Sequence, residues 1–324
     1  MTDLKTTYMG LNLKNPIIAG SSNMSGSIEK IKKLEENGVA AIVLKSIFEE
    51  QILNEIGSLS KSSTLHTEGY DYISQYTKQF TLNNYLNLIK KSKEQTDIPI
   101  IASINCISNG EWISFAKQIS DAGADAIELN LFVLPSDTKK EPESIEKTYF
   151  DIIKSVTSQT DIPISIKVSS YFTSLANSLF RISLTDISGI VLFNRFYQPD
   201  IDLKKMELIS SDIFSTRREN SHSLRWIGIL SGSLKCDIIS STGIHEGVDV
   251  LKNILVGANA VQVVSTIYKN GMEHIQKMIN DLTELMDEHN FESISGITGK
   301  LNQKNSSNPE MFERAQFMKY YANT

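Results

Sequence analysis

The chain has 324 residues, 40% of them hydrophobic and 22% charged, with a formal net charge of −6. That is enough apolar content for one large buried core, and too little basic character for a nucleic-acid binder. Two well-separated cysteines, Cys106 and Cys236, and five scattered histidines form neither a disulfide framework nor a zinc-ligand spacing. The polar, mixed-charge N-terminus resembles neither a signal nor a transit peptide, and no apolar run reaches bilayer length, so a cytoplasmic protein is expected.

Short β-branched runs recur along the chain, each followed by a helical pattern. In order they are Ile17–Gly20, Ala41–Lys45, Ile100–Ser103, Ala126–Asn130, Ile164–Val168, Gly189–Phe193, Asp237–Ser240 and Val261–Val264. Near-continuous apolar runs suit strands buried on both faces of a parallel sheet. Between them, Ser27–Asn37, Trp112–Ala122 and Val248–Val256 carry apolar residues at helical spacing and end at Gly38, Gly123 and Gly257. Eight strand–helix units predict an α/β fold, a (β/α)₈ barrel of the TIM type. No Pro/Gly/Ser-rich linker interrupts it, so one domain over residues 1–324 is expected. Two connections are long. Residues 46–98 hold a polar stretch, Gly57–Tyr76, before their helix. Residues 194–234 read as irregular and contain Asn194-Arg195-Phe196-Tyr197-Gln198-Pro199. Barrel enzymes place lids and substrate contacts in such connections, although extra packing around the barrel is the plainer reading.

Polar residues at the C-terminal strand ends face the active site of a barrel. Here these are Ser21, Lys45, Asn105, Asn130, Lys167, Asn194, Thr242 and Ser265. A lone strand-end lysine can snorkel to solvent, but two lysines with three asparagines suit the floor beneath a planar heteroaromatic ligand. The last two strands run into Ser241-Thr242-Gly243-Ile244 and Val264-Ser265-Thr266, where barrels often hold a phosphate; two plain turns with helix caps are the alternative.

These motifs, in this order, resemble the soluble class 1 dihydroorotate dehydrogenases over nearly the whole chain. Asn15–Ser21 is similar to that family's first strand, Lys45-Ser46 to its flavin and substrate lysine site, and Glu128-Leu129-Asn130-Leu131 to its catalytic strand. Lys167 in Ile-Lys-Val-Ser-Ser-Tyr-Phe, Asn194 and the Thr242-Gly243 and Ser265 turns complete the likeness. The resemblance implies an FMN oxidoreductase acting on a CH–CH group, dihydroorotate to orotate in pyrimidine biosynthesis, assembled as a homodimer. It implies catalytic roles for Lys45, Lys167 and Asn130, with Lys167 beside the flavin edge that becomes anionic. It places substrate near Asn130, Asn194, Arg195 and His66. Flavin contacts fall on Gly20, Ser21, Lys45, Ser46 and Asn105, on Asn130, Lys167 and Asn194, on Ser231 and Gly232, and on Thr242, Gly243, Val264 and Ser265.

The pattern breaks where the family carries its proton acceptor. A cysteine or serine is usual there, and this chain has Val133; Pro135 replaces an asparagine, and Leu65-His66-Thr67-Glu68-Gly69 replaces the usual substrate stretch. Valine cannot take a proton. Ser136, Asp137, His66 and Cys106 are candidate replacements, His245 reads as a helix cap or phosphate contact, and Arg195 as a bidentate carboxylate clamp. The flavin half of the pattern is therefore fuller than the dihydroorotate half, and the expected substrate is dihydroorotate or a related small anionic compound. The alternatives are a weakened flavoprotein or phosphate-ligand barrel with a regulatory role, and a barrel enzyme without flavin.

Overall fold

The structure is a computed structural model and describes residues 2–48, 67–105, 111–131 and 133–314. All eight expected strands form. Around the barrel they run β3 (Ile17–Ala19), β4 (Ala41–Val43), β6 (Ile100–Asn105), β7 (Ala126–Asn130), β8 (Ile164–Val168), β9 (Gly189–Leu192), β12 (Asp237–Ser241) and β13 (Ala260–Val263). Every neighbouring pair is parallel, and β13 returns to β3 with Val261 opposite Ile17, which closes the ring. A short β5 (Ile47–Phe48) extends the second strand position along β6.

Helices cover the outside because each has one apolar stripe to bury. In α1 (Ile28–Glu36) the stripe is Ile31 and Leu34. α3 (Glu111–Asp121) and α7 (Gly247–Val256) are two of the helices expected from spacing. α4 (Pro142–Thr157) buries Tyr149, Ile152, Ile153 and Val156, and α5 (Leu175–Ser183) buries Leu179 and Ile182. Below the barrel, β1 (Thr6–Tyr8) and β2 (Leu11–Leu13) pair as a hairpin. Tyr8 is fully buried there among Ile18, Ala41, Ile101, Ala126 and Ala260. The Met9 amide donates to Asp237 at the start of β12, 2.7 Å away. A Cβ on Gly189 would lie 2.7 Å from the Tyr8 ring, so this strand start has room only for glycine. The hairpin is a stopper at the N-terminal end of the strands.

The two long connections are more regular than their composition suggests. α2 runs Thr67–Gln95, so it begins inside the stretch read as polar. The connection after β9 contains the antiparallel hairpin β10 (Pro199–Asp202) and β11 (Glu207–Ser210) and then α6 (Asn220–Leu230). A capping box between Thr216 and Glu219 starts a 3-10 turn that leads into α6, whose Ile227 and Leu230 are buried. Ile201, Leu203, Met206 and Leu208 on the hairpin stay exposed. Among the described residues, no helix is long and apolar enough to cross a membrane.

Candidate functional site

A cavity of about 310 Å³ opens at the C-terminal strand ends, within the usual size range of small-molecule sites. Its floor is Lys167, the fourth residue of β8, with Gln262 from β13. The Lys167 ammonium donates to Gln262 Oε1 at 2.8 Å, and Gln262 Nε2 donates to Glu128 on β7. Above the floor, Asn194 Nδ2 donates to Asn130 Oδ1 at 2.8 Å. The backbone sets this up: the Leu131 amide binds Lys167 O, and the Asn194 amide binds Val168 O, so both asparagines are held at the end of β8.

The far end of the cavity is lined by Thr242, Gly243, Ser215, Val264 and Ser265. Thr242 and Gly243 have φ of 76° and 78°. A Cβ on Gly243 would sit 2.3 Å from the Asn220 amide nitrogen, so α6 can approach this turn only because the residue is glycine. The Ser215 amide donates to Ser265 Oγ at 3.0 Å, the Gly243 amide donates to Ser215 Oγ at 3.3 Å, and the Lys269 ammonium donates to Ser215 O at 2.9 Å. Two hydroxyls, two amides and an ammonium from three separate segments thus meet here, donating to one another in this structure, and they are the kind of groups that can re-aim at a phosphate. His245 lies behind it, with Nε2 3.2 Å from Ser215 Oγ. Burial pushes its imidazole below the ordinary histidine range, with the Lys269 ammonium adding to the effect. His245, expected as a helix cap or a phosphate contact, thus stands beside Ser215. Its amide binds Asp249, which also takes a bidentate pair from Arg217.

The remaining wall is Arg195–Gln198, from the connection after β9. Arg195 Nε donates to Glu219 at 2.7 Å and Nη1 to Ile213 O at 3.1 Å. Two of its nitrogens are therefore engaged within the protein, while Nη2 is buried without a partner in the cavity wall, so a ligand carboxylate would meet one committed face of the guanidinium and one open nitrogen. Burial works to raise the Glu219 carboxyl, but hydrogen bonds from Arg195 and the Thr216 amide outweigh it and hold the group below the usual carboxylate range.

Several expected site residues lie elsewhere. Lys45 lines a second cavity, of about 600 Å³, between α1 and α2 with Lys91, Asn84 and Asn87, and does not line the mouth cavity. Ser46 also borders that cavity, yet its hydroxyl is 3.0 Å from that of Ser21, which faces the mouth. Gly20 brings β3 against β13, where a Cβ would meet Val264 at 2.8 Å. Asn105 ends β6 at the same end of the barrel, half-buried and outside the mouth lining. Ser231 and Gly232 are at the opposite end. They follow α6 and precede β12, and Ser231 Oγ donates to Val256 O at the end of α7. A residue between a barrel helix and the next strand is necessarily at the stopper end, so these two do not contact a ligand in the mouth.

Val133 is half-buried and packs against the outer hydrophobic core, not into the cavity. Ser136 and Asp137 are exposed on the same connection and line no part of the mouth. His66 and Cys106 lie outside the described residues. Burial pushes the Cys236 thiol up to about 12, so it is no proton acceptor at neutral pH. The sequence did not point to Gln262, Ser215 or Asp212, which line the mouth, Asp212 as the one carboxylate among the described lining residues, nor to Lys269, which stands behind Ser215.

A family model described as dihydroorotate dehydrogenase matches residues 3–286. A Thermoplasma volcanium protein named dihydroorotate dehydrogenase B (NAD(+)), catalytic subunit, is 26% identical over 315 residues, covering 92% of this chain and 98% of that protein. The protein of the same name from Methanocaldococcus jannaschii is 24% identical over 305 residues, with 91% and 97% covered. That from Endomicrobium trichonymphae is 23% identical over 311 residues, with 93% and 98% covered.

Proposed function

From the premise that the chain belongs to the dihydroorotate dehydrogenase family, we propose that it is an FMN-dependent oxidoreductase of the CH–CH group whose substrate is a small anionic compound other than dihydroorotate. The observation that carries this reading is a single cavity with a fixed ammonium, Lys167, in its floor and a compact anion-type cradle at its end. These residues fit FMN. Ser215, Gly243 and Ser265, backed by Lys269, would hold the phosphate, and Lys167, Gln262 and the Asn130–Asn194 pair would line the ring. Bound FMN would supply the hydride-accepting N5 and gather negative charge along its N1–C2 edge on reduction. Lys167 would face that charge. Catalytic electrostatics of this kind act through groups already oriented before reaction.

Asn130 and Asn194 are engaged with each other through one amide N–H and one oxygen. Their remaining amide groups are the polar handles for a substrate. A proton leaving the substrate carbon needs an acceptor, and Val133 supplies none. In this reading Asp212 takes that part, because it is a carboxylate in the cavity lining. A nicotinamide-type acceptor reached through a partner chain is supported by the relatives' names, which call them catalytic subunits and specify NAD(+). A homodimer belongs to the same proposal, supported by the exposed apolar residues of the β10–β11 hairpin.

The test begins with the purified protein. Denaturation is expected to release FMN; release of FAD, or of no flavin, overturns the cofactor assignment. Anaerobic mixing with dihydroorotate is expected to leave the flavin yellow while artificial reductants bleach it. Rapid bleaching by dihydroorotate overturns the substrate assignment. Lys167→Ala is expected to lower the reduction potential while flavin is largely retained.

A further inference from the structure

The interior of a (β/α)₈ barrel is normally filled by layers of Val, Ile and Leu. This barrel has a charged layer directly beneath its mouth. Glu128, Lys167 and Gln262 are 1%, 8% and 2% exposed. Glu128 on β7 and Gln262 on β13 stand on diametrically opposite strands, four positions apart in a ring of eight, and they meet across the barrel. The amide of Gln262 has only one orientation that serves both neighbours. Its oxygen accepts a hydrogen bond from the ammonium, which only donates, and its NH₂ donates one to the carboxylate, which only accepts. The second Glu128 oxygen makes no hydrogen bond and lies 3.9 Å from the Lys167 nitrogen.

Burying a carboxylate and an ammonium without full hydrogen bonding is unfavourable compared with apolar packing of similar volume. A layer of this kind is poor stabilisation. Its electrostatic effect is specific: Glu128 draws on the same ammonium that faces the cavity. The cavity therefore sees a Lys167–Glu128 dipole in place of a bare positive charge, and a dipole acts more weakly at a given distance.

We propose that Glu128 is a positioning residue that, with Gln262, leashes the Lys167 ammonium and sets how strongly its charge is felt in the mouth cavity. For a flavin bound there, this lowers the stabilisation of the reduced, anionic form. The inference rests on the FMN reading above.

The experiment measures the midpoint potential of bound FMN and the dissociation constant of oxidised FMN in three proteins: unmodified, Glu128→Gln and Gln262→Met. Glu128→Gln keeps the shape and the acceptor for Gln262 but removes the counter-charge. The ratio of reduced to oxidised flavin affinity is expected to rise about tenfold, an upward potential shift of about 30 mV for a two-electron couple. Oxidised-FMN affinity is expected to change less than about threefold. Gln262→Met releases the leash and is expected to shift the potential the same way by less, so it carries the test if the Glu128 variant does not fold. Flavin-loaded Glu128→Gln with an unchanged or lower potential overturns the inference alone, since a purely structural Glu128 would leave the potential where it was. Unmodified protein that holds no FMN overturns the flavin reading and this inference with it.

Discussion

Asn194 and Asn130 are joined by a 2.8 Å hydrogen bond that bridges the end of β8, with the Asn130 carbonyl as acceptor. This bond does not use the Asn130 NH₂, and Asn130 adjoins the mouth through Asn194, which lines it. Asn130→Asp keeps the acceptor that Asn194 needs and removes that donor. A ligand hydrogen-bonded there is expected to bind roughly 10–100-fold more weakly, the usual consequence of losing a hydrogen bond to a charged group at about 1.5–3 kcal/mol. Isothermal titration with an anionic substrate analogue checks it. Unchanged affinity would show that the ligand does not reach Asn130.

The phosphate-type turn makes a sharper demand. Gly243→Ala introduces a Cβ at positive φ and against the Asn220 amide nitrogen. Backbone strain of about 1–3 kcal/mol adds to the steric displacement of α6. The variant is expected to melt several degrees lower and to purify without flavin, as read by calorimetry and the visible spectrum. Retention of flavin at full occupancy would remove this turn from the binding site.

Restoring the family's proton acceptor is expected to achieve little. In Val133→Cys the thiol replaces a side chain that packs on the core and does not line the cavity, so anaerobic bleaching by dihydroorotate is expected to stay within about threefold of the unmodified protein. For the true substrate, Asp212→Asn is expected to slow flavin reduction by ~10²-fold or more, the usual contribution of a general base. A hundredfold gain from the cysteine, or an indifferent Asp212→Asn, would return the base to the β7–α4 connection.

The Arg195–Glu219 pair gives the lid connection an acid limit. Glu219 is held below its ordinary range in the folded chain, so its contribution is present above the unfolded carboxyl pKa and is lost as pH falls through the folded value. The buried His245 works in the same sense over a higher window: with its folded pKa depressed, its contribution is present above about 6.5 and declines as pH falls below that. Limited proteolysis across residues 194–219 is expected to accelerate below the ordinary carboxyl range. Glu219→Gln is expected to flatten that acid dependence and to cleave faster at neutral pH. Proteolysis with the same pH profile in both proteins would rule the pair out as the anchor.

Much of this was legible in the chain. Eight apolar runs became eight strands, because strands buried on both faces leave little choice of residue. Lys167 and Asn194, expected from their place at strand ends, line the mouth, and Asn130 is bonded to Asn194 beside it. Lys45, expected at the mouth, borders the neighbouring cavity, because β4 ends at Val43 and beyond a strand's last residue the alternation of side chains no longer fixes direction. Ser231-Gly232 was misread for a different reason: a small hydroxyl beside glycine suits a phosphate loop, but the end of the barrel it occupies depends on whether a helix or a strand precedes it. The signals for Glu128 and Gln262 were present, each being a polar residue inside an otherwise apolar strand, Ala-Ile-Glu-Leu-Asn and Ala-Val-Gln-Val. Their meeting was not, because contact between strands on opposite sides of a ring depends on closure.

The Tyr8 stopper bears on kinetics. With the lower end plugged by a fully buried ring, the barrel is a flask with one neck. In the flavin reading, a small-molecule acceptor offered to the chain without its partner must visit the same neck as the compound that delivers electrons, each in turn. Steady-state rates then follow double-displacement behaviour, with parallel reciprocal plots and each reactant competing with the other at high concentration. A family of intersecting lines would mean that electrons leave by a route that bypasses the neck.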